Sequence, residues 1–253
     1  GPRPAPRPQG AVPAGGWLAG LVVGDATQGI AGPLGASLYA AMGARVLKFE
    51  PPEGDYARGA APAHPQSGVG LLYLSLNAGK EPGGTTPDLA TLDVLLLDQD
   101  STWLGTDPAT LAARYPRLVT CRITANGPAG PNAQVKGGEL TSQVQAEYHS
   151  GLGRAGDPFI LRLGADLVSA YSGLSAFQGT LAALWERRRS GKGQHVEVGM
   201  LGAALFARMP IWSVLGEPDA WAGHLCDSWV LPPHHGYATK DGRVDFLFRM
   251  KPE

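Results

Sequence analysis

The sequence predicts an α/β fold, a parallel sheet flanked by helices, on two observations: short apolar strands alternate with helical stretches, and the alternation occurs twice. The first βαβ unit has a strand at Leu21 to Gly24, a helix from Pro33 to about Met42, and a strand at Val46 to Phe49. The second has a strand at Val94 to Leu97, a helix around Pro108 to Tyr115, and a strand at Leu118 to Ile123. Parallel strands need such helical crossovers, which cover both faces of the sheet.

Between the first strand and its helix lies Asp25-Ala26-Thr27-Gln28-Gly29-Ile30-Ala31-Gly32-Pro33-Leu34-Gly35, a glycine-containing turn with proline near the helix start. Such a turn can receive a phosphate or an oxyanion on its free amides, or its glycines can simply let helix and strand pack closely. The Gly-x-Gly-x-x-Gly spacing is absent, so a nicotinamide cofactor is not expected.

A long helix follows Asp166. Leu167, Ala170, Tyr171, Leu174, Phe177, Leu181 and Leu184 recur every three or four positions and predict one buried face. Arg187, Arg188 and Arg189 sit near its end, and Gly191 is placed to stop it. Asp166 is therefore at the positive end. Two readings are open on position alone: an N-cap worth about 1 kcal/mol, or an ionised carboxylate aimed at an activated acyl group.

Residues 1–16 are rich in Pro and Gly and read as a linker or an expression remnant; 17–215 read as one large domain, and 216–253 as a linker and the beginning of a small second domain. In the last of these, Gly236 to Phe248 reads as strand, Asp-Gly turn, strand. The chain has 253 residues, 43% of them hydrophobic, enough for one large core. A net charge of −1 argues against a nucleic-acid partner. Cys121 and Cys226 are too few for a disulfide framework, and no apolar run reaches the roughly 18 residues of a membrane span, so a cytoplasmic location is expected. His224, Cys226, His234 and His235 do not match the spacing of a closed zinc site, and no metal is expected. His64 and His195 have no evident partner in the sequence.

Several stretches, in order, resemble the family III CoA-transferases, the group that includes formyl-CoA transferase, carnitine CoA-transferase and α-methylacyl-CoA racemase. They are Leu18 to Val23 with Gly29-Ile30-Ala31-Gly32-Pro33, Met42 to Pro52, Ser75-Leu76-Asn77-Ala78-Gly79-Lys80, Asn126 to Pro131, Gly138-Glu139-Leu140, Gln145-Ala146, and Arg187 through Val198. The resemblance runs from about Leu18 to Phe248. Family chains are longer, and their C-terminal portion returns to complete the large domain.

The resemblance implies a Rossmann-like domain that uses coenzyme A as an acyl-CoA substrate together with a carboxylic acid, with Asp166 as the nucleophile and no metal. Gln28 matches a residue near the reacting thioester, where an amide can donate to an oxyanion. Lys48, Asn77 and Lys80 match positions that contact CoA, and Arg162 would favour the ionised Asp166 or hold an anionic group. Glu139 is expected as a buried polar partner. A homodimer, or a complementary C-terminal segment, is the implied partner.

Three departures stand out. Asp98-Gln99-Asp100-Ser101-Thr102-Trp103 replaces the Glu-Asn-Phe-Arg-Pro-Gly loop usual in the transferases, the stretch between Lys80 and Leu92 is short, and the histidine of the racemase pattern near Gly138 is missing, His149 lying too far along. Racemisation through an Asp/His pair is thus disfavoured. Three readings remain: an acyl-CoA transferase, a CoA-thioester lyase or other module of a larger fused enzyme on the same scaffold, and a degenerate non-catalytic relative.

Overall fold

The computed structural model describes residues 15–105, 107–148 and 162–208, and 237, 238, 240, 243 and 244 of the tail. Strands β1 (Val22–Asp25), β2 (Arg45–Phe49), β3 (Glu81–Gly84), β4 (Val94–Asp98), β5 (Val119–Thr124) and β6 (His195–Gly199) form one sheet in the order β3-β2-β1-β4-β5-β6, with every neighbouring pair parallel. This is the doubly wound Rossmann order, and it reverses between β1 and β4. The α/β expectation therefore holds, and both predicted βαβ units lie within a residue or two of their expected bounds.

Helices α1 (Ala31–Ala41), α2 (Leu71–Leu76), α3 (Pro108–Arg114), α4 (Glu139–Gln145), α5 (Leu167–Ser190) and α6 (Met200–Ala207) complete the described body. β4 shows how the sheet organises the core. Val94 and Leu96 join α1, α5 and α6 on one face, while Leu95 and Leu97 join Phe49 and Leu111 on the other. Successive side chains point to opposite faces, so a strand covered on both sides must be apolar throughout.

Helix α5 ends as its sequence predicts: Gly191 has φ +74° and donates its amide to Arg187 O at 2.9 Å. Its buried face differs from the expectation. Leu167, Tyr171 and Leu174 are 36%, 38% and 39% exposed, and the buried side carries Val168, Ser172, Gly173, Ala176, Phe177, Thr180 and Leu184. Close approach to α1 selects these smaller residues, because a Cβ on Gly35 would lie 2.8 Å from the carbonyl oxygen of Gly173. The buried hydroxyls remain bonded: Ser172 Oγ donates to Val168 O at 2.7 Å, and Tyr39 Oη donates to Thr180 Oγ1 at 2.7 Å.

In the tail, β7 (Tyr237–Ala238) and β8 (Arg243–Val244) pair antiparallel, as the predicted hairpin requires. His149, His224, Cys226, His234 and His235 lie outside the described residues.

Candidate active site

In open parallel sheets, ligands meet the carboxyl ends of the strands where the strand order reverses. Here those ends are Asp25 of β1 and Asp98 of β4, and the turn after β1 carries Gln28. The backbone amides of that turn are already occupied by carboxylates of the chain itself. Thr27 N donates to Asp25 Oδ1 at 3.1 Å, Gln28 N to Asp98 Oδ2 at 2.7 Å, and Gly29 N to Asp55 Oδ1 at 3.1 Å. The turn is thus a braced support; the anion-receiving role open to its sequence is filled internally.

Beneath it lies a buried charge cluster. Lys80 Nζ donates to Asp25 Oδ2 at 2.8 Å, Pro33 O at 2.9 Å and Asn77 Oδ1 at 2.9 Å, which uses all three of its protons. Lys48 Nζ donates to Thr27 O and lies 3.0 Å from Asp55 Oδ2 and 3.8 Å from Asp25 Oδ2. The Lys48 and Lys80 side chains are 4% and 1% exposed, so both ammonium groups face inward to ion pairs. Burial pushes the Asp25 carboxyl upward, but Lys48 and Lys80 overcome it and hold the group down at about 2. Burial is likewise the largest influence on both lysines: it prevails at Lys80, lowering it, and yields to Asp25 and Asp55 at Lys48, which is raised. Asn77 caps the end of α2, its Nδ2 donating to Tyr73 O at 2.9 Å while its oxygen holds Lys80.

Gln28 is gripped at both ends. Its backbone is tied to Asp98, and its Oε1 accepts from Tyr56 N at 3.4 Å, which leaves the amide nitrogen as the end able to donate outward. Tyr56 is 67% exposed as a residue, but its hydroxyl turns in against Gly29, where φ is +74° and a Cβ would collide with the phenol. That enclosure, followed by the nearby carboxylates of Asp55, Asp98, Asp100 and Asp166, pushes the phenol up to about 12.

The replaced loop after β4 is built into this support. Ser101 Oγ lies 2.7 Å from Ala26 O and 2.9 Å from Asp98 Oδ1, two acceptors for its single proton, and Asp100 N donates to Asp98 Oδ1 at 2.9 Å. Burial raises the Asp98 carboxyl to about 6 despite these donors. Nearby, a cleft opens at the end of β2 between Glu50, Pro51, Gly84 and Thr85.

Asp166 occupies the N-cap position of α5, yet its side chain makes no capping bond. It pairs with Arg162 Nη2 at 2.7 Å, and the two side chains are 39% and 49% exposed. The cap comes from α4: Glu139 Oε1 accepts from Val168 N at 3.2 Å and Oε2 from Ser169 N at 2.6 Å. Gln143, one turn along α4, clamps the approach to Asp166, with Leu163 N donating to its Oε1 at 3.0 Å and its Nε2 donating to Glu139 Oε1 at 2.7 Å and Ala165 O at 3.3 Å. Glu139 is a polar partner, as the resemblance implied, but it is half-buried where a buried residue was expected. Gln143, Asp98 and Tyr56 were not singled out as site residues by the sequence; only the break from the usual loop pointed toward Asp98.

Two histidines correct the sequence reading. His195 Nδ1 meets Thr120 Oγ1 at 2.8 Å and its Nε2 meets Glu197 Oε1 at 2.6 Å, while His64 Nδ1 lies 3.3 Å from Ser67 Oγ. Among the described residues no group of three or more His, Cys, Asp or Glu side chains is arranged to hold a metal, and no helix is long and apolar enough to cross a membrane.

Residues 18–83 and 96–252 match the family model described as CoA-transferase family III. The intervening gap overlaps the shortened stretch before β4. Among curated relatives, a probable fatty acyl-CoA transferase of Mycobacterium tuberculosis, Rv3272, is 33% identical over 208 residues, which are 74% of this chain and 51% of that protein. The succinate–glutarate CoA-transferase of Agrobacterium fabrum is 28% identical over 249 residues, 89% of this chain and 61% of that one. A CaiB/BaiF family protein from Brucella suis superposes with a TM-score of 0.76 at 23% identity, covering 90% of this chain and 65% of its own. A crystal structure of Rv3272 gives a TM-score of 0.71 at 28% identity, covering 82% and 61%. The chain thus spans between half and two thirds of the length of these relatives.

Proposed function

The chain belongs to CoA-transferase family III, and from that premise we propose that it moves CoA between an acyl-CoA donor and a carboxylic acid acceptor through covalent intermediates on Asp166. The observation that carries this reading is a carboxylate kept off the helix cap: Asp166 stands at a helix N-terminus that another residue caps, half-exposed and paired with Arg162.

In the first step a carboxylate oxygen of Asp166 attacks the thioester carbonyl, the C–S bond breaks, and a mixed anhydride forms with release of CoA thiolate. The thiolate then attacks the aspartyl carbon, giving an aspartyl-CoA thioester and freeing the donor acid as its carboxylate. The acceptor carboxylate attacks that thioester to form a second anhydride and thiolate, and the returning thiolate takes the new acyl group and restores Asp166. Charge and protons balance at every step without a general acid. What the protein must supply is stabilisation of the successive oxyanions and exclusion of competing water. We assign oxyanion donation to the amide nitrogen of Gln28, which Tyr56 N and Asp98 orient. Arg162 is assigned to holding the Asp166 carboxylate and the anionic acids that replace it as partner. Lys48, Lys80 and Asn77 we assign to bracing the Gln28 turn, because their polar ends are engaged there.

The exposed apolar side chains Leu140, Val144, Leu167, Tyr171 and Leu174 around the start of α5 support a second copy or a complementary C-terminal segment as the partner that covers this end. A well-behaved monomer in light scattering would contradict that assignment.

The test is to incubate the chain with a panel of acyl-CoA thioesters, add hydroxylamine, and map adducts by mass spectrometry, with Asp166→Ala as the control. A hydroxamate at residue 166 that vanishes in the control is expected. Binding of CoA without any adduct would favour a CoA-thioester enzyme in which Asp166 acts differently; neither binding nor adduct would favour a non-catalytic relative.

A further inference from the structure

The start of α5 holds two carboxylates within reach of one set of backbone amides. Helix N-termini leave their first amides without intrahelical partners, and an aspartate at the N-cap is among the residues that most readily satisfy them. Asp166 is such an aspartate. Its backbone nevertheless stands at φ −83° and ψ 59°, away from the extended conformation a capping residue adopts, and its side chain turns outward to Arg162. Glu139 meets the amides in its place, one oxygen on Val168 N and the other on Ser169 N. Gln143 fixes Glu139 through its amide nitrogen and, with its oxygen, holds Leu163 N.

From this arrangement we infer that Glu139 is a positioning residue: by occupying the first amides of α5 it keeps the Asp166 carboxylate off the helix terminus and available to substrate. This rests on the acyl-enzyme reading above for its consequence, but not for its structural half. A nucleophile that capped its own helix would have its oxygens turned toward Ser169 N and ψ rotated into the extended region, away from an incoming thioester. Supplying the cap from another helix separates the two roles that one carboxylate at this position can take.

In Glu139→Ala, Asp166 is expected to rotate into the vacated cap. Native-state hydrogen exchange at Val168 and Ser169 then changes little in the single variant, whereas Glu139→Ala/Asp166→Ala loses about fivefold in protection, the equilibrium equivalent of one cap. The rate of hydroxamate formation at Asp166 in Glu139→Ala falls by about 100-fold, as misplacement of a reacting group by about 1 Å costs. Glu139→Gln, which keeps one acceptor oxygen at this spot, retains reactivity within about fivefold of the wild type and guards against a misfolded alanine variant. Acylation of Glu139→Ala at the wild-type rate would overturn the inference. So would amides that exchange as fast in the single variant as in the double one, because Glu139 would then be only a structural cap. If the wild-type chain takes no acyl group, the acyl-enzyme reading fails alone, and the exchange comparison still decides whether Asp166 moves onto the amides.

Discussion

The turn after β1 and the start of α5 both present backbone amides beside a residue proposed to touch substrate, and both have those amides filled by carboxylates. At the first, Asp25, Asp98 and Asp55 occupy Thr27, Gln28 and Gly29, and the carboxylates are in turn tied to Lys48, Lys80 and Ser101 in a largely buried network. At the second, Glu139 occupies the amides while Asp166 stands aside with one partly exposed arginine for company. The difference separates two uses of charge. A group that must hold a shape is buried and given several partners; a group that must change partners is left at the surface with one.

The largest effect is expected at Lys80. Lys80→Met removes a cation from Asp25 inside the fold, and loss of one partner from a buried ion pair costs about 3–5 kcal/mol, so the urea midpoint should fall steeply. A loss below about 1 kcal/mol, the scale of exposed pairs, would erase the contrast between the two regions.

A smaller effect sharpens it through pH. Burial raises Asp98 to about 6 from an unfolded value near 3.8, so the folded chain holds that proton more tightly than the unfolded one. Its contribution to stability is therefore full below about 3.8 and is lost as pH rises through about 6. Asp25 runs the other way: its depressed value contributes above 3.8 and is lost as pH falls through about 2. Comparing wild type with Asp98→Asn in urea at several pH values should show the wild type losing ground relative to the variant between pH 4 and pH 6. A constant offset between the two would mean that Asp98 is not the desolvated group its position implies.

The smallest effect on stability belongs to Arg162→Ala. An exposed pair contributes within about 1 kcal/mol, so the melting temperature should hardly move while acyl-adduct formation at Asp166 slows. A large drop in melting temperature would place Arg162 with the structural group.

How much of this was legible in the sequence depends on how local the cause is. β4 was readable because four consecutive apolar residues, Val94 to Leu97, leave few other options for a short segment between turns. β3 was not: its Glu81-Pro82-Gly83-Gly84 opposes strand propensity and is tolerated because β3 lies at the edge of the sheet and pairs with β2 alone. The ends of α5 announced themselves through Asp166, the three arginines and Gly191, whereas its buried face was set by the closeness of α1, which periodicity cannot express. Asp166 was visible from its place before a long helix and from the family resemblance. Its release from capping depends on Glu139, 29 residues before Val168, and such long-range pairing leaves no mark on either segment. Lys48 and Lys80 drew attention as cations for the same reason: the sequence gives their charge, and the carboxylates that surround them come from β1 and the loop after β2.

The contact between Gly35 and Gly173 has a bearing on how such a chain can change over time. α1 begins three residues after Gln28 and α5 directly after Asp166, so a change in the spacing of the two helices would carry to the segments that hold both residues. A methyl group at Gly35 would press on the Gly173 carbonyl, and one at Gly173 on the carbonyl of Ala31. Either would push α1 and α5 apart. Side chains elsewhere on these helices can vary, while these two backbone positions hold the helix spacing that such variation must start from.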